Sequence, residues 1–364
     1  MKIWIENPFD NLPIEGFRAQ RYWLMAEAFR KAGHEVTLWT SDFNHTTKRK
    51  RVVVKGKGED EGFSIRFVPT IPYHKNVSIK RIISHLFYAA RWRRMGAEAL
   101  AETSEPDVII LSSPPIMTGL AALHFKKLCG AKVVLDIMDL WPETFERVAS
   151  KWILWPIKKI ADFIRKRADL VTSVAEAYPG KTFYHGIELC ATEEERADSE
   201  SLRVVYIGNL GVTYDLKTVV EAIKRIKGAT IKIAGQGAGA KDLGDEYVGY
   251  LGKEELERLL AHSDIGVIPM APESCVGVPY KFADYAKAGL AIVSSLSGES
   301  SKLMKRYGAG EEYVPHDVDS LVKAIERLRP RLKEARASSR KMAEEVLDSK
   351  KIYADYVKYV AEMV

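Results

Sequence analysis

Short apolar segments alternate with amphipathic helical segments along most of the chain, and this alternation limits the folds open to it. One clear unit is Asp107–Leu111, then the helical pattern Met117–Leu128, then Lys132–Asp136. Parallel strands that are buried on both faces read as continuous apolar runs, and a helix forms the crossover between them. The pattern therefore predicts α/β domains with doubly wound, Rossmann-like parallel sheets.

The alternation occurs twice, so two such domains are predicted. They are separated by the acidic, strand-poor stretch 187–201. We predict an N-terminal domain over residues 1–186, a linker over 187–201, a second domain over 202–347, and a helix over 348–364 that packs back on the N-terminal domain. A length of 364 residues suits two domains of ordinary size. The predicted strands are Lys2–Ile5, Val36–Thr40, Val52–Val54, Phe63–Val68, Asp107–Leu111, Lys132–Asp136, Leu170–Ser173 and Thr182–His185, then Arg203–Ile207, Thr230–Ala234, Ile265–Pro269 and Ala291–Ser294.

Composition excludes several classes of protein. Hydrophobic residues make up 46% and charged residues 29%, which excludes a disordered or collagen-like chain. The cysteines Cys129, Cys190 and Cys275 form no CxxC pair, which argues against a zinc or redox motif. Neither a signal peptide nor a run of about 18 apolar residues is found, so a cytoplasmic location is predicted. Two glutamines and five asparagines among many ionic residues are typical of a thermophile, or of lineage bias.

The charge is unevenly distributed along the chain. The net charge is only +6, too small to indicate a nucleic-acid partner. Residues 1–180 hold 28 basic and 20 acidic residues, a net charge of +8. Residues 181–364 hold the other 27 basic and 29 acidic residues, a net charge of −2. The basic first half indicates an anionic partner.

In a doubly wound sheet, ligands bind at the carboxyl ends of the strands, so the loops there are the candidate sites. In the loop after the first strand, the sequence predicts that Gly16 lies at a helix N-terminus, where free backbone N–H groups can receive an anion. Arg18 lies one turn into that helix. An ordinary glycine turn is the alternative. The sequence Gly235–Ala240 resembles the GxGxx(G/A) dinucleotide fingerprint, although a flexible glycine loop explains it more simply. The DxD of Asp317–Asp319 is better explained as a helix cap than as a metal site.

Carboxylates and a tryptophan follow the strand Lys132–Asp136, in the sequence Asp136–Glu143. Asp139 and Glu143 could act as acid or base or hold sugar hydroxyls, and Trp141 could form an apolar wall. The alternative is that Asp139 caps a helix that starts at Pro142.

Lys281 falls in the first turn of a predicted helix, Tyr280–Ala288. The helix dipole disfavours a cation there unless an anion is also present. Lys281 and the free N–H groups of that turn suit a diphosphate, and Asp284, one turn later, suits a ribose diol. A solvent-facing Lys–Asp pair is the alternative.

These motifs, in their order and spacing, resemble the retaining glycosyltransferases of family 4 with the GT-B fold. The chain looks most like the branch that acts in surface-polysaccharide assembly, as in fucosamine transferases. The matching segments are Gly16–Arg18, Lys31–Thr37, Asp139–Glu143, His185–Glu188, Tyr206–Gly211, Leu251–Leu256, Ser263–Pro269 and Val278–Tyr285.

The resemblance implies two domains that face a cleft, with a nucleotide sugar held mainly by the second domain. By analogy Lys281 neutralises the diphosphate, Asp284 holds the ribose, and the backbone at Leu251 and Gly252 meets the base. The implied nucleotide-binding set is Gly16, Gly208, Asn209, Gly211, Leu251, Gly252, Val278, Lys281 and Asp284. Asp139 and Lys281 are the implied catalytic residues.

The chain departs from the family pattern in three places. Val276 stands where the first glutamate of the Glu-x7-Glu motif is usual, with Glu273 nearby. Asn209 and Tyr214 replace the usual Arg and Lys, so diphosphate binding depends more on Lys281. Met138 replaces the usual histidine, which leaves Asp139 as the best polar candidate. Retaining transfer can proceed on one face, with the leaving diphosphate accepting the acceptor's proton.

Two basic stretches of the first half carry aromatic residues, Ile79–Arg94 and Trp152–Arg167. Such helices suit an anionic membrane surface or a lipid-diphosphate head group. An ordinary helix with an apolar core face is the alternative. The residues predicted on the acceptor or membrane side are Arg18, Trp141, Glu143, Arg91, Trp92, Arg93 and Arg94.

The sequence thus predicts a metal-free, cofactor-free transferase that moves a sugar from a UDP-sugar or related donor to a lipid-linked or glycan acceptor. It would be peripheral on the inner face of the membrane. Alternatives are a nucleotide-sugar epimerase of the same fold, an NAD-dependent oxidoreductase using Gly235–Ala240, and a non-catalytic sugar-nucleotide binder.

Overall fold

The computed structural model describes residues 1–52, 62–75, 78–102, 105–146, 150–189, 201–211, 213–271 and 277–364. The chain divides into two compact units, which are described separately. Unit 1 is Met1–Phe183 with Lys350–Val364, and unit 2 is Tyr184–Ser349. Most of the predicted linker, most of the predicted strand Val52–Val54, and the residues Glu273 and Val276 lie outside the described residues.

Unit 1 is built on a seven-stranded parallel sheet. Its strands are β1 (Lys2–Glu6), β2 (Glu35–Ser41), β3 (Ser64–Val68), β4 (Val108–Ser113), β5 (Lys132–Ile137), β6 (Leu170–Ser173) and β7 (Lys181–Thr182). Their spatial order is β3-β2-β1-β4-β5-β6-β7. The order reverses between β1 and β4, which is the topological switch point where ligands bind in such sheets. A small hairpin, Phe43–Asn44 with Arg49–Lys50, follows β2.

Helices cover both faces of this sheet because successive strand residues point to opposite faces. Ile3 and Ile5 pack with α1 (Arg21–Lys31) and α11 (Ser349–Ala361). Trp4 packs on the other face with α2 (Ile79–Glu102), α3 (Thr118–Cys129) and α4 (Lys151–Arg167). The carboxyl-terminal helix therefore belongs to the core of unit 1.

Unit 2 repeats this plan with a six-stranded parallel sheet. Its strands are β8 (Leu202–Asn209), β9 (Ala229–Gln236), β10 (Tyr247–Gly249), β11 (Ile265–Ile268), β12 (Ala291–Ser294) and β13 (Gly310–Glu312). The spatial order, β10-β9-β8-β11-β12-β13, again reverses beside the first strand of the unit. The helices are α5 (Leu216–Arg225), α6 (Lys253–Ala261), α7 (Tyr280–Lys287), α8 (Glu299–Tyr307), α9 (Val318–Leu328) and α10 (Leu332–Met342). The prediction of two doubly wound parallel sheets is confirmed.

The helix predicted to begin at Gly16 begins later, at Arg21. Asp10 explains the difference, because its carboxylate accepts from the backbone N–H of Tyr22 at 2.8 Å and so caps the first turn. Gly16 instead ends a 3₁₀ turn, Pro13–Glu15, in the left-handed conformation at φ 84°. The prediction that Gly16 lies at a helix N-terminus is therefore wrong.

No helix within the described ranges combines the length and the hydropathy needed to cross a membrane.

Candidate active site

The first cluster of predicted residues lies at the carboxyl end of the unit 2 sheet. Strand β8 ends at Asn209, and helix α7 begins beside it at Tyr280. Gly208 has φ 125°, a conformation that side-chain-bearing residues rarely adopt. A Cβ at Gly208 would lie 3.2 Å from the Lys281 Nζ, so glycine gives the amine its space.

Lys281 is held among tyrosines in the first turn of α7. Its Nζ donates to the Tyr206 hydroxyl at 2.9 Å and lies 4.2 Å from the centre of that ring. The Tyr214 ring centre is 3.8 Å from the same atom. The Tyr206 hydroxyl in turn donates to the Asn209 carbonyl at 2.5 Å. Tyr214, which replaces a basic residue of the family pattern, thus contacts the amine through its π face.

This environment changes the proton affinity of the amine. Burial lowers the pKa of Lys281 to about 7, and the nearby Asp284 carboxylate only partly opposes the shift. A lysine with a pKa near 7 is charged in only part of the molecules at neutral pH. An anion that binds beside it raises the pKa and so restores the charged form. The geometry thus suits an anionic ligand at the start of α7.

The other predicted nucleotide residues occupy neighbouring strand ends and helix starts of unit 2. Gly252 is the N-cap of α6, and its N–H donates to the Glu255 carboxylate at 3.1 Å. Leu251 is half-buried against the core, and Val278 is buried just before α7. Gly211 follows β8, and a Cβ added to it would lie 2.9 Å from the side-chain amide oxygen of Asn209.

The glycine sequence 235–240 lacks the geometry of a dinucleotide site. It passes from β9 into a 3₁₀ turn, Ala238–Asp242, rather than into an α-helix. The Gly239 N–H donates to the Leu210 carbonyl at 2.8 Å, so this amide is used in a hydrogen bond within the protein rather than offered to a phosphate. The Asp317 side chain likewise caps α9 by accepting from the Ser320 N–H at 2.8 Å.

The second cluster lies at the carboxyl end of the unit 1 sheet, and its three carboxylates differ in environment. Asp136 is fully buried and paired with Arg21 at 2.7 Å, so it is structural. Glu143 lies 3.9 Å from Arg165. Asp139 is exposed at the end of β5, with its N–H directed at the Ser113 carbonyl at 3.3 Å. Asp139 is therefore the carboxylate that a ligand can reach.

Asp139 faces Arg81 of helix α2. Surrounding protein atoms raise the pKa of Asp139, and the Arg81 charge opposes that rise. The Arg81 guanidinium lies 5.1 Å from the Trp141 ring centre, which is consistent with a cation–π contact. Trp141 also packs against His85, with ring centres 5.6 Å apart.

Arg81 and His85 were missed as site residues because the sequence presents α2 as one basic surface helix. Their spacing with Tyr88 and Trp92, at intervals of four, three and four, places all four on one helix face. That face turns inward, so Trp92 is fully buried against Phe125 at a ring distance of 5.3 Å. The assignment of Trp92 to a membrane-facing surface is therefore wrong, because its indole fills the core.

The remaining residues of the predicted acceptor side are exposed. Arg18 lies in the segment before α1, and Arg91, Arg93 and Arg94 lie on the outer face of α2. Arg94 pairs with Glu98 one turn later at 2.9 Å. Among the residues that the structure describes, no three His, Cys, Asp or Glu side chains group in a way that could hold a metal ion.

Two protein families match the chain, one in each unit. Residues 19–178 match the glycosyl transferase 4-like domain. Residues 201–329 match the glycosyl transferases group 1 domain. Sulfoquinovosyl transferase SQD2 of Arabidopsis thaliana is 23% identical over 245 residues, which cover 58% of this chain and 45% of that protein. The chain thus spans less than half the length of this relative.

Solved structures of glycosyltransferases share the fold over the whole chain. Sucrose-phosphate synthase from Thermosynechococcus elongatus has a TM-score of 0.74 at 14% identity, over 100% of this chain and 98% of that one. HepE of Anabaena, solved in complex with UDP and glucose, has a TM-score of 0.68 at 13% identity, over 100% of both chains. The architecture is therefore GT-B.

Proposed function

We propose that this chain, a glycosyltransferase built from a glycosyl transferase 4-like domain and a group 1 domain, moves a sugar from a UDP-sugar to a lipid-linked or glycan acceptor. The proposal includes retention of anomeric configuration and no metal ion. A fold relative was solved with UDP and glucose, which supports a UDP-sugar as the donor. The resemblance of Asp139–Glu143 to the fucosamine-transferase branch supports a role in surface-polysaccharide assembly.

The environment of Lys281 carries the proposal. A transferase that uses no metal must neutralise the departing diphosphate with side-chain cations and backbone N–H groups. Lys281 brings a cation to the start of α7, and Gly208 near the end of β8 leaves space for its amine. The dipole of α7 and the lysine charge both favour a diphosphate there.

In the proposed reaction, the bond between the sugar's anomeric carbon and the diphosphate oxygen breaks, and a bond to the acceptor oxygen forms on the same face. The acceptor's hydroxyl proton passes to the departing diphosphate oxygen. Lys281 stabilises the negative charge that develops on that oxygen. Asp139, with its raised pKa, accepts a hydrogen bond from an acceptor hydroxyl and orients it.

Calorimetric titration with UDP, GDP and NAD tests the donor class. We expect UDP to bind and to raise the melting temperature, because a ligand that binds the folded state stabilises it. A panel of UDP-sugars then identifies the donor. Preference for NAD over both nucleotide diphosphates would refute the transferase proposal.

We also propose that unit 1 binds an anionic membrane surface on the cytoplasmic side. Helix α4 exposes Trp152 at 88% and Trp155 at 60%, while its Leu154 packs inward. Lys159 lies 5.7 Å from the Trp155 ring centre, so cations flank the apolar surface. Aromatic side chains with neighbouring cations are favoured at the boundary between anionic head groups and acyl chains.

Replacing Trp152 and Trp155 together with alanine should weaken binding to phosphatidylglycerol vesicles at least about tenfold, because two aromatic anchors are lost. Reversing the charges of Arg91, Arg93 and Arg94 should also weaken it, since each cation near an anionic surface contributes about 1 kcal/mol. Vesicle flotation measures both effects. Tyr250→Ala, which removes an exposed ring from unit 2, is the control and should have no effect. Equal flotation with neutral and anionic vesicles would contradict the proposal.

A further inference from the structure

The amine of Lys281 is covered in the structure, although the proposed function requires it to meet a diphosphate. Lys281 is only 8% exposed, while Gly208 and Asn209 at the end of the neighbouring strand β8 are exposed. A ligand can therefore reach this strand end, but a covering group separates it from the amine. The rings of Tyr206 and Tyr214 lie against the amine, and they differ in how firmly they are held.

Tyr206 is the inner ring and is fixed in place. Its side chain is fully buried in the core of unit 2. Its hydroxyl accepts from the Lys281 amine at 2.9 Å and donates to the Asn209 carbonyl at 2.5 Å. Moving this ring would break both hydrogen bonds and open the packed core, so we expect Tyr206 to keep its position when a ligand binds.

Tyr214 is the outer ring, and its side chain is only half-buried. Its ring centre lies 3.8 Å from the Lys281 Nζ, and the ring meets that of Tyr206 at a centre distance of 5.8 Å and an angle of 62°. The backbone of Tyr214 is fixed by a bridge to Met270. Rotation of the side chain is therefore enough to uncover the amine, and such rotations are fast for partly exposed residues.

The Tyr214 ring and a diphosphate are alternative partners for one cation. The π face of a tyrosine attracts an ammonium group, most strongly where water is excluded. A phosphate oxygen attracts it more strongly, because the oxygen carries charge and accepts hydrogen bonds. The inner side of the amine is taken by Tyr206 and by the close approach of Gly208, so the phosphate has to use the side that Tyr214 covers. Binding of a diphosphate then displaces the Tyr214 ring and loses its attraction for the amine.

We propose that the Tyr214 ring covers the Lys281 amine in the free chain and competes with the bound diphosphate for it. The inference rests on the proposed transferase function and adds a role for Tyr214, which replaces a basic residue of the family pattern. The ring moves off the amine when the nucleotide sugar binds and returns to it as the product diphosphate leaves. Tyr214 thus weakens the binding of the product and speeds its release, a step that sets the turnover rate of many enzymes.

UDP binding to the full chain tests this inference. Calorimetry measures the affinity, and stopped-flow displacement of a fluorescent UDP analogue measures the dissociation rate. Tyr214→Ala should bind UDP at least about tenfold more tightly and release it correspondingly more slowly, because no ring competes for the amine. Tyr214→Phe keeps the π face and should not show this gain. Tyr307→Ala is the matched control, because it removes another partly exposed tyrosine of unit 2, at the end of α8, and should have no effect.

The gain should depend on Lys281. In the Lys281→Met background, Tyr214→Ala should leave UDP affinity unchanged, because the cation for which ring and phosphate compete is absent. Tyr214→Leu keeps an apolar side chain without a π face, so it should also show the gain and replaces Tyr214→Ala if that variant does not fold.

Equal or weaker UDP binding in the variants without the ring, or the same gain in the Lys281→Met background, would overturn the inference. UDP binding by the unsubstituted chain is measured first. Its absence would refute the donor assignment itself, whereas tight UDP binding without the expected gain would refute only the competition by Tyr214.

Discussion

Replacing Lys281 with methionine is expected to weaken UDP binding at least about tenfold, and up to about a hundredfold. A hydrogen bond from a charged donor contributes about 1.5–3 kcal/mol, and methionine keeps the length of the side chain without its charge. Calorimetric titration with UDP measures the loss. Lys287→Met is the matched control: this lysine lies in the same helix and pairs with Glu257 at 3.8 Å, away from the start of the helix. Unchanged UDP affinity in Lys281→Met would refute the diphosphate assignment.

The pH dependence of UDP binding provides a second measurement on the same amine. Burial lowers the pKa of free Lys281 to about 7, and a bound diphosphate raises it. Above pH 7 binding therefore takes up a proton, and the affinity should fall by up to about tenfold per pH unit. The second phosphate ionisation, with a pKa of about 6, lies below this window. The slope should disappear in Lys281→Met, and its persistence would assign the titration to another group.

Replacing Arg21 with methionine should destabilise unit 1 by about 3–5 kcal/mol, because it leaves the buried Asp136 carboxylate without its counter-charge. Both side chains are fully buried. Arg21 donates to both Asp136 oxygens, at 2.7 and 2.9 Å, and to the Phe183 carbonyl at 2.8 Å. Tyr22 and Thr172 also donate to this carboxylate, at 2.8 and 2.7 Å.

Urea unfolding followed by tryptophan fluorescence measures this effect in unit 1 alone, because all seven tryptophans lie within residues 1–183. The double variant Arg21→Met with Asp136→Leu should recover part of the loss, since no unpaired charge stays buried. Lys126→Met, at a partly exposed pair with Asp169, should cost no more than about 1 kcal/mol. An Arg21→Met variant within 1 kcal/mol of the unsubstituted chain would contradict the argument.

The same pair gives a pH prediction for stability. Burial alone would raise the pKa of Asp136, but the Arg21 charge and the hydrogen bonds of Arg21, Thr172 and Tyr22 hold it below its ordinary value. The stabilisation is therefore fully present above the ordinary carboxyl pKa of about 4 and is lost as the pH falls through the lower folded value. Arg21→Met should show a shallower loss of unit 1 stability in acid.

Helix α11 depends on the same buried ion pair. Its Tyr353 and Tyr356 rings each lie 5.9 Å from the Arg21 guanidinium carbon, and the Tyr356 hydroxyl lies 3.2 Å from the Thr172 hydroxyl. The carboxyl-terminal helix thus joins the core of unit 1 through side chains that surround one ion pair.

The amino-acid sequence by itself determined the two parallel sheets. Strand and helix periodicities are local properties. A strand of β-branched residues such as Val133 and Val134 therefore has the same sequence pattern whichever segments it packs against. The start of α7 at Tyr280 was likewise predicted from the local pattern. Pro279 stands directly before it, where proline fixes the backbone. The local pattern alone placed Lys281 in a first turn.

The tertiary structure decided the surroundings of these residues. Arg21 meets Asp136 across 115 positions of sequence, and Lys281 meets Tyr206 across 75. Helix α2 carries apolar residues on both faces, so its periodicity left open whether Trp92 or Ile82 faces the core; packing buries Trp92 and exposes Ile82. Burial, pKa and pairing depend on which distant segments come together, and no local sequence pattern contains that information.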